Sequence, residues 1–258
     1  RGCPYFCTFC DQAGTKTRRR SPQKVIDEIK HCVEKYGVKE ISFWDDTLSY
    51  HKKWMKEFLD LLMKEKLDIC WSCFAAVNTV DEEILKLMAK AGCWNIFYGY
   101  ETGVDVLAKN MLTHRKNRDF EKMKKVAKWT KDAGIEVIGS FLIGLPGETP
   151  ELARQTIQNA IELDPDYVQF AIACPYPGTQ LAKEIKQGKW GKFVSDELEE
   201  YTTESVTWLP SGYSSVKELE DMQRYAFRKF YLRPSYVFKR ILKLRSLEDL
   251  KRHIKGAV

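Results

Sequence analysis

Five apolar, β-rich runs recur along the chain, at 39–45, 68–74, 95–101, 136–144 and 167–173. Between them, apolar residues fall at helical spacing over 22–36, 53–66, 81–91, 118–133 and 150–163. Ser21-Pro22 marks the first helix start, a capping hydroxyl followed by proline at the first helical position. Gly37, Gly92 and Gly134 follow helix ends, where glycine closes the last turn, and Gly147-Glu-Thr-Pro150 opens the fifth helix. Strands alternating with helices over short connections predict parallel strands joined by right-handed crossovers. Periodicity alone leaves open whether they form a closed barrel or an open doubly wound sheet. Beyond about residue 180 the pattern changes. Residues 216–231, 234–245 and 247–256 read as cationic helices, whose aromatic stripes (Phe227, Phe230, Tyr231, Tyr236, Phe238) are expected to pack on the strand-rich part.

Composition narrows the class. With 258 residues, 44% hydrophobic and 30% charged, the chain is expected to be soluble and globular, with room for one barrel-sized domain and an appendage. No apolar run approaches the ~20 residues that span a membrane, and no signal-peptide pattern opens the sequence. Eight cysteines at this length do not make a disulfide framework. Cys32, Cys70, Cys73, Cys93 and Cys174 lie among apolar neighbours and are expected as buried thiols in the reducing cytoplasm. The net charge of +6 is modest, and its local excess at Lys16, Arg18, Arg19, Arg20 and Lys24 reads as a solvated loop. Without interleaved aromatics or a known RNA-binding module, nucleic acid is not an expected partner. His31, His51, His114 and His253 are scattered, and no Ser/His/Asp set, Walker loop or dinucleotide fingerprint is present, so hydrolytic and nucleotide-driven chemistry lack support.

The chemistry concentrates at the start, in Cys3-Pro-Tyr-Phe-Cys7-Thr-Phe-Cys10. Thiolates bind soft metals, and such runs hold iron–sulfur clusters or zinc. A four-iron cluster usually takes one thiolate per iron. This run offers three, and the next cysteine, Cys32, falls in a helix, so one iron would stay open to a small molecule. Structural zinc usually takes a second C-x2-C knuckle, which this run lacks. C-x3-C-x2-C with an aromatic before the last cysteine resembles the signature of the radical S-adenosylmethionine (SAM) superfamily. Arg1-Gly-Cys-Pro4 resembles its branch that carries a cobalamin-binding domain upstream, the class B methyltransferase and anaerobic Mg-protoporphyrin ester cyclase type.

That resemblance, which runs over nearly the whole chain, implies a partial six-stranded (β/α) TIM-like barrel with the cluster on the loop after its first strand. Only five strands follow the cysteines, and the chain opens on Arg rather than Met. The first strand is therefore expected to precede Arg1, leaving an unpaired edge on a core spanning 1–190, followed by a helical extension over 191–258. The resemblance gives Cys3, Cys7 and Cys10 to a [4Fe-4S] cluster whose open iron chelates SAM. It places Asp45 and Asp46 of Asp45-Asp46-Thr47 towards the methionine end of SAM, and Glu101 of Tyr100-Glu-Thr-Gly103 on its polar groups. Backbone around Gly139–Ser140 and Gly144, in the run closing Gly-Leu-Pro-Gly-Glu148, would meet the adenine or nucleoside, Phe9 would pack near the adenine, and Tyr176 would line the adenine or substrate pocket. One departure stands out. The strand ending Phe74-Ala-Ala-Val-Asn78 has Ala76 and Asn78 where many relatives have Arg and Asp, so another cation is expected, with Lys109, Arg115 and Lys116 as candidates.

The activity so implied is reductive cleavage of SAM to a 5′-deoxyadenosyl radical, serving cobalamin-dependent methylation or rearrangement of a small molecule, with flavodoxin or ferredoxin as reductant. Two alternatives stand beside it: a cobalamin-independent enzyme of methylthiotransferase or porphyrin oxidase type, and a non-catalytic metal-binding fragment.

Overall fold

A computed structural model describes residues 1–117, 119–202 and 205–243. After the cysteine segment the chain runs through α1 (Pro22–Tyr36), β1 (Glu40–Phe43), α2 (Lys52–Glu65), β2 (Cys70–Ala75), α3 (Glu82–Lys90) and β3 (Cys93–Glu101). Two short helices follow, α4 (Asp105–Asn110) and α5 (His114–Asn117), then α6 (Phe120–Asp132), β4 (Glu136–Ile143), α7 (Pro150–Leu163), β5 (Tyr167–Ile172) and α8 (Gln180–Lys186). The chain then forms β6 (Gly191–Phe193), β7 (Trp208–Pro210), α9 (Val216–Tyr231) and α10 (Pro234–Lys243). The helix expected over 247–256 lies outside the described residues.

Strands β1 to β5 form one parallel sheet in chain order, and β6 pairs antiparallel with β7. This sequential parallel order with helical crossovers is that of a (β/α) barrel, here open between β1 and β5 among the described residues. Residues 1–20 contain no strand, and no other described strand lies on the outer edge of β1. Local chemistry sets the boundaries. The Ser21 hydroxyl accepts from the N–H of Lys24 at the start of α1, and Thr149 accepts from Leu152 at the start of α7; each helix has proline in its first turn. Gly37 takes the left-handed conformation (φ 65°) that ends α1.

One face of the sheet is the core. Cys73, Ala75, Ile96, Tyr98, Tyr100, Val137, Phe141, Ile143, Val168, Phe170 and Ile172 pack there against the helices. The C-terminal helices join the same core through Leu219, Met222, Ala226, Phe230 and Tyr236. Phe238, expected in the packed stripe, is instead exposed. The opposite face carries Ser72, Phe74, Phe97, Gly99, Ile138 and Ser140, all half-buried, with Ser42 and Gln169 exposed. In a closed TIM barrel that interior is filled by layers of branched side chains; here it is not.

All eight cysteines are free. Cys73, Cys93 and Cys174 are buried as expected, whereas Cys32 and Cys70 are only half-buried: Cys70 alternates with buried Trp71 onto the open face of β2, and Cys32 is not among the buried residues of α1, which are Pro22, Ile26 and Ile29. Among the described residues no helix is long and apolar enough to cross a membrane.

Candidate functional site

The cysteine segment is a loop of tight turns tied to the carboxyl ends of the strands. Cys10 N–H donates to Cys7 C=O (3.1 Å), Ala13 to Cys10 (3.3 Å) and Gly14 to Tyr5 (2.7 Å). Gly14 has φ +68°, and a Cβ there would meet the Phe6 ring at 2.6 Å, so this turn requires glycine. Thr8, directly after Cys7, pins the loop from both sides. Its N–H donates to Met111 C=O (3.1 Å), just past α4, and its C=O accepts from Leu181 (2.8 Å), near the start of α8.

Glu101 ends β3 with φ 64°, left-handed and strained for glutamate. The strand slips register against β4 between Gly99 and Glu101. This turns the carboxylate towards Lys116 of α5, Oε1 to Nζ 2.7 Å, with side-chain exposures of 8% and 15%. Asn117 fixes α5 by donating to the Gly99 and Tyr100 carbonyls at 2.7 and 3.0 Å. A Cβ on Gly99 would stand 2.5 Å from Glu101 Oε1 and 2.7 Å from Lys116 Nζ, so the pair occupies space that only glycine leaves.

The three thiols share one electrostatic neighbourhood with this pair. Burial pushes the Cys7 thiol up to about 12; the Lys116 ammonium pulls it down, while Glu101, Cys10 and Cys3 push it further up. Burial likewise raises Cys10, with a backbone hydrogen bond and Lys116 opposing. Burial disfavours the Lys116 ammonium itself, but Glu101, Cys7 and Cys3 outweigh that and hold it above the ordinary lysine value. Lys116 thus opposes burial at Cys7 and Cys10 without overcoming it. Among the described residues no three His, Cys, Asp or Glu side chains stand close enough to hold a metal ion as they are. Loading would therefore draw the loop together, with metal binding coupled to local ordering. The donor set, three soft thiols with no fourth in the loop, fits an iron–sulfur cluster with one open iron.

The remaining residues singled out in the sequence surround this centre unevenly. Phe9 packs between Leu142, Ala171 and Ala173 on one side and Leu181, Ile185 and Trp208 on the other. Tyr176, on the turn after β5, is 37% exposed, faces Tyr201 at 6.5 Å and lies within the field of Asp11 of the cysteine loop. Ser140 is half-buried on the open face, in register with Gly99 and Gln169. Gly144 is buried with φ +79°; its N–H already donates to Glu148 Oε1 (2.6 Å), and Leu219 covers it. Asp46 holds the loop itself, Oδ2 accepting from Gly2 N–H at 3.0 Å. With Asp45 it lines a cavity of about 470 Å³ whose other walls include Arg18, Arg19, Arg20, His51 and Trp54.

The sequence offered one further feature only as one candidate among three, and gave no sign of a second. Lys116 stood level with Lys109 and Arg115, but those two are exposed; Asn78 Nδ2 donates to the Arg115 carbonyl (2.6 Å), so this substituted position, three residues past β2, anchors α5 instead of supplying a charge. Glu148 is fully buried, its Oε1 accepting from Tyr213 as well as Gly144 at 2.6 Å, and its Oε2 has no partner. Burial pushes its carboxyl up to about 7 against those hydrogen bonds. Glu148 fell inside the Gly-Leu-Pro-Gly-Glu run, but nothing in that run points to Tyr213.

The model of the Radical SAM superfamily matches residues 1–160. The chain belongs to the radical SAM superfamily. Curated relatives of this radical SAM chain include an uncharacterized methyltransferase of Pyrococcus horikoshii, 34% identical over 99% of the chain and 55% of the relative. Another is an anaerobic magnesium-protoporphyrin IX monomethyl ester cyclase of Rubrivivax gelatinosus, 29% identical over 92% of the chain and 42% of the relative. The chain thus spans about half the length of the curated relatives it matches. Among solved structures, the radical SAM methyltransferase TsrM from Kitasatospora setae, with cobalamin and a [4Fe-4S] cluster bound, superposes with TM-score 0.70 at 19% identity, over 91% of this chain and 50% of that one. The cobalamin-dependent SAM radical enzyme OxsB also superposes with TM-score 0.70, at 15% identity over 98% of this chain and 43% of that one. At these identities the likeness is one of fold, and it agrees with the partial barrel expected from the sequence.

Proposed function

We propose that this chain is the radical-generating core of a longer enzyme of the cobalamin-linked branch, acting on a small molecule. The observation that carries the reading is the meeting of three loop thiols with the Glu101–Lys116 pair at the carboxyl ends of parallel strands, where ligands of such sheets bind. In this reading Cys3, Cys7 and Cys10 hold a [4Fe-4S] cluster. When bound, cluster and SAM together supply a radical able to abstract hydrogen from an unactivated carbon.

The chain's own residues bind and orient. Glu101, strained and charged, accepts hydrogen bonds from the ammonium of SAM, and Lys116 meets its carboxylate, standing in for the cation absent at Ala76. Asp46 fixes the entrance of the cysteine loop through Gly2, with Asp45 beside it. Phe9 and Tyr176 flank the nucleoside, Ser140 presents its hydroxyl from the floor, and Gly144 contributes its carbonyl. The names of the two relatives, a methyltransferase and a magnesium-protoporphyrin IX monomethyl ester cyclase, support methylation or ring rearrangement with cobalamin supplied by another part of the protein. A flavodoxin or ferredoxin would supply the electron, and a cytoplasmic setting agrees with eight unpaired thiols.

The test is anaerobic reconstitution with iron and sulfide, followed by electron paramagnetic resonance of the reduced protein with and without SAM. A reduced four-iron signal that shifts on adding SAM is expected, together with 5′-deoxyadenosine. Both should vanish in Cys7→Ala. A signal indifferent to SAM, or deoxyadenosine from the Cys7 variant, would refute the assignment.

A further inference from the structure

The open face of the sheet carries a row of aromatic rings that the proposed chemistry leaves unused. Strand alternation puts Phe43 into the core, 5.7 Å from both Phe58 and Trp71. The next residue, Trp44, therefore emerges on the opposite side, where it is 81% exposed. It meets Phe74 at 5.5 Å, and Phe74 meets Phe97 at 4.9 Å, with ring planes inclined by 57° and 51°. Phe74 and Phe97 are register partners on β2 and β3, and both are half-buried. The row continues through Ile138 to Tyr167, its register partner on β5. There the Arg240 guanidinium lies 3.8 Å from the ring centre and closes the far end. No side chain in the row from Trp44 to Tyr167 is charged.

We propose that this row is the floor of the substrate site and selects a flat, largely apolar aromatic ring system, with Trp44, Phe74 and Phe97 as the specificity-determining residues. The inference rests on the proposed function, which makes a molecule bound at this face the substrate. Three arguments carry it. The row begins at the active end of the sheet, with Trp44 just past β1 and Phe74 near the end of β2, and descends through Phe97 to Tyr167, the first residue of β5. Gly99, two residues and about 7 Å further along β3, has no side chain to block the way, and Glu101 follows after a similar step. A large indole standing mostly in water is unfavourable for its own sake, whereas a ligand that removes it from water gains the buried area. Inclined rings present both faces and edges, so a second π system finds offset and edge-to-face contacts that a saturated molecule of equal area does not. Ser140 and Gln169, in the row above, are placed for polar substituents on the rim of such a ligand.

Protoporphyrin IX serves as the flat probe and deoxycholate as a saturated polycyclic acid for comparison, both titrated onto the complete chain reconstituted with cluster and SAM. Protoporphyrin should bind with a shifted Soret band, at least tenfold more tightly than deoxycholate. Trp44→Ala should weaken the porphyrin about five- to tenfold and Trp44→Phe no more than about twofold. Because the ring is exposed, neither change should move the thermal midpoint, which separates lost contact from lost fold. Equal affinity for the two probes, or an unchanged porphyrin affinity in Trp44→Ala, would overturn the proposal. The same wild-type sample is read for the SAM-dependent resonance shift. If the shift is present and porphyrin does not bind, the floor assignment alone fails. If the shift is absent, the reading of the site as a radical source fails, and the substrate role of the floor falls with it.

Discussion

Lys116 and Glu101 show how much one buried pair determines. Removing one member of such a pair leaves a charge without compensation, which costs about 3 kcal/mol or more, whereas removing both is far milder. Lys116→Met is accordingly expected to lower the unfolding free energy by about 3 kcal/mol, and Lys116→Met combined with Glu101→Gln to recover most of it; denaturant titration of the metal-free protein measures both. Glu148 gives a prediction in pH. Its carboxyl is raised to about 7 by burial, so folding favours the protonated form. The stability this provides is complete below the ordinary carboxylate range and is lost as pH climbs to about 7. Each tenfold change in proton affinity is worth about 1.4 kcal/mol, so the loss is on the order of 3 kcal/mol. Glu148→Gln should flatten stability between about pH 5 and 8, and equal slopes in wild type and variant would contradict the argument. The cysteines could be singled out as candidates because metal chemistry depends on residue type and spacing, both written in the sequence. Which of Lys109, Arg115 and Lys116 is buried was not legible, since the burial of Lys116 comes from Asn117 and the β3 slip, which no local pattern encodes.

At the level of elements, β5 shows how the sheet manages an edge. Unpaired edge groups invite association with other chains. Here side chains of the C-terminal helices take the place of a strand. The Tyr231 hydroxyl accepts from Val168 N–H (2.9 Å) and donates to Val168 C=O (2.6 Å), Gln223 donates to Phe170 C=O (2.8 Å), and Tyr236 donates to Asp166 C=O (3.0 Å). Tyr231→Phe removes two of these bonds while keeping the ring, so it should cost about 1–2 kcal/mol and speed amide exchange at Val168; exchange monitored by NMR or mass spectrometry reads both. Helices α1 and α7 were legible to the residue, because a capping hydroxyl and a proline fix where each begins. The short α4 and α5 and the β6–β7 pair were not. Segments of three to six residues carry too little periodicity, and the two strands of the pair are held together by the fold rather than by a turn between them.

The molecule as a whole turns on whether residues 191–243 are an appendage, as the sequence pattern implied, or a part of the core. A boundary near 190 separates a strand–helix pattern from a cationic helical one, and pattern is what a sequence shows. Packing points the other way. Leu219, Met222, Ala226, Phe230 and Tyr236 lie in the same cluster as Tyr98, Phe141 and Phe170. Phe230 is fully buried, 6.3 Å from Phe170 and 5.3 Å from Tyr236, and Leu219 closes over Gly144 at the site itself. Burying a large apolar side chain is worth about 1.5–3 kcal/mol, so these residues together contribute roughly the whole net stability of a domain, about 5–15 kcal/mol. Glu148, whose Oε1 receives Tyr213, would also lose a hydrogen bond on a group that cannot reach water. A chain ending after Pro210 is therefore expected to lose cooperative unfolding in calorimetry and to expose Cys73 and Cys93 to a thiol reagent, with the cysteine loop released from its frame. A truncated protein that still melts in one sharp transition, with those two thiols protected, would return the C-terminal helices to the status of an extension.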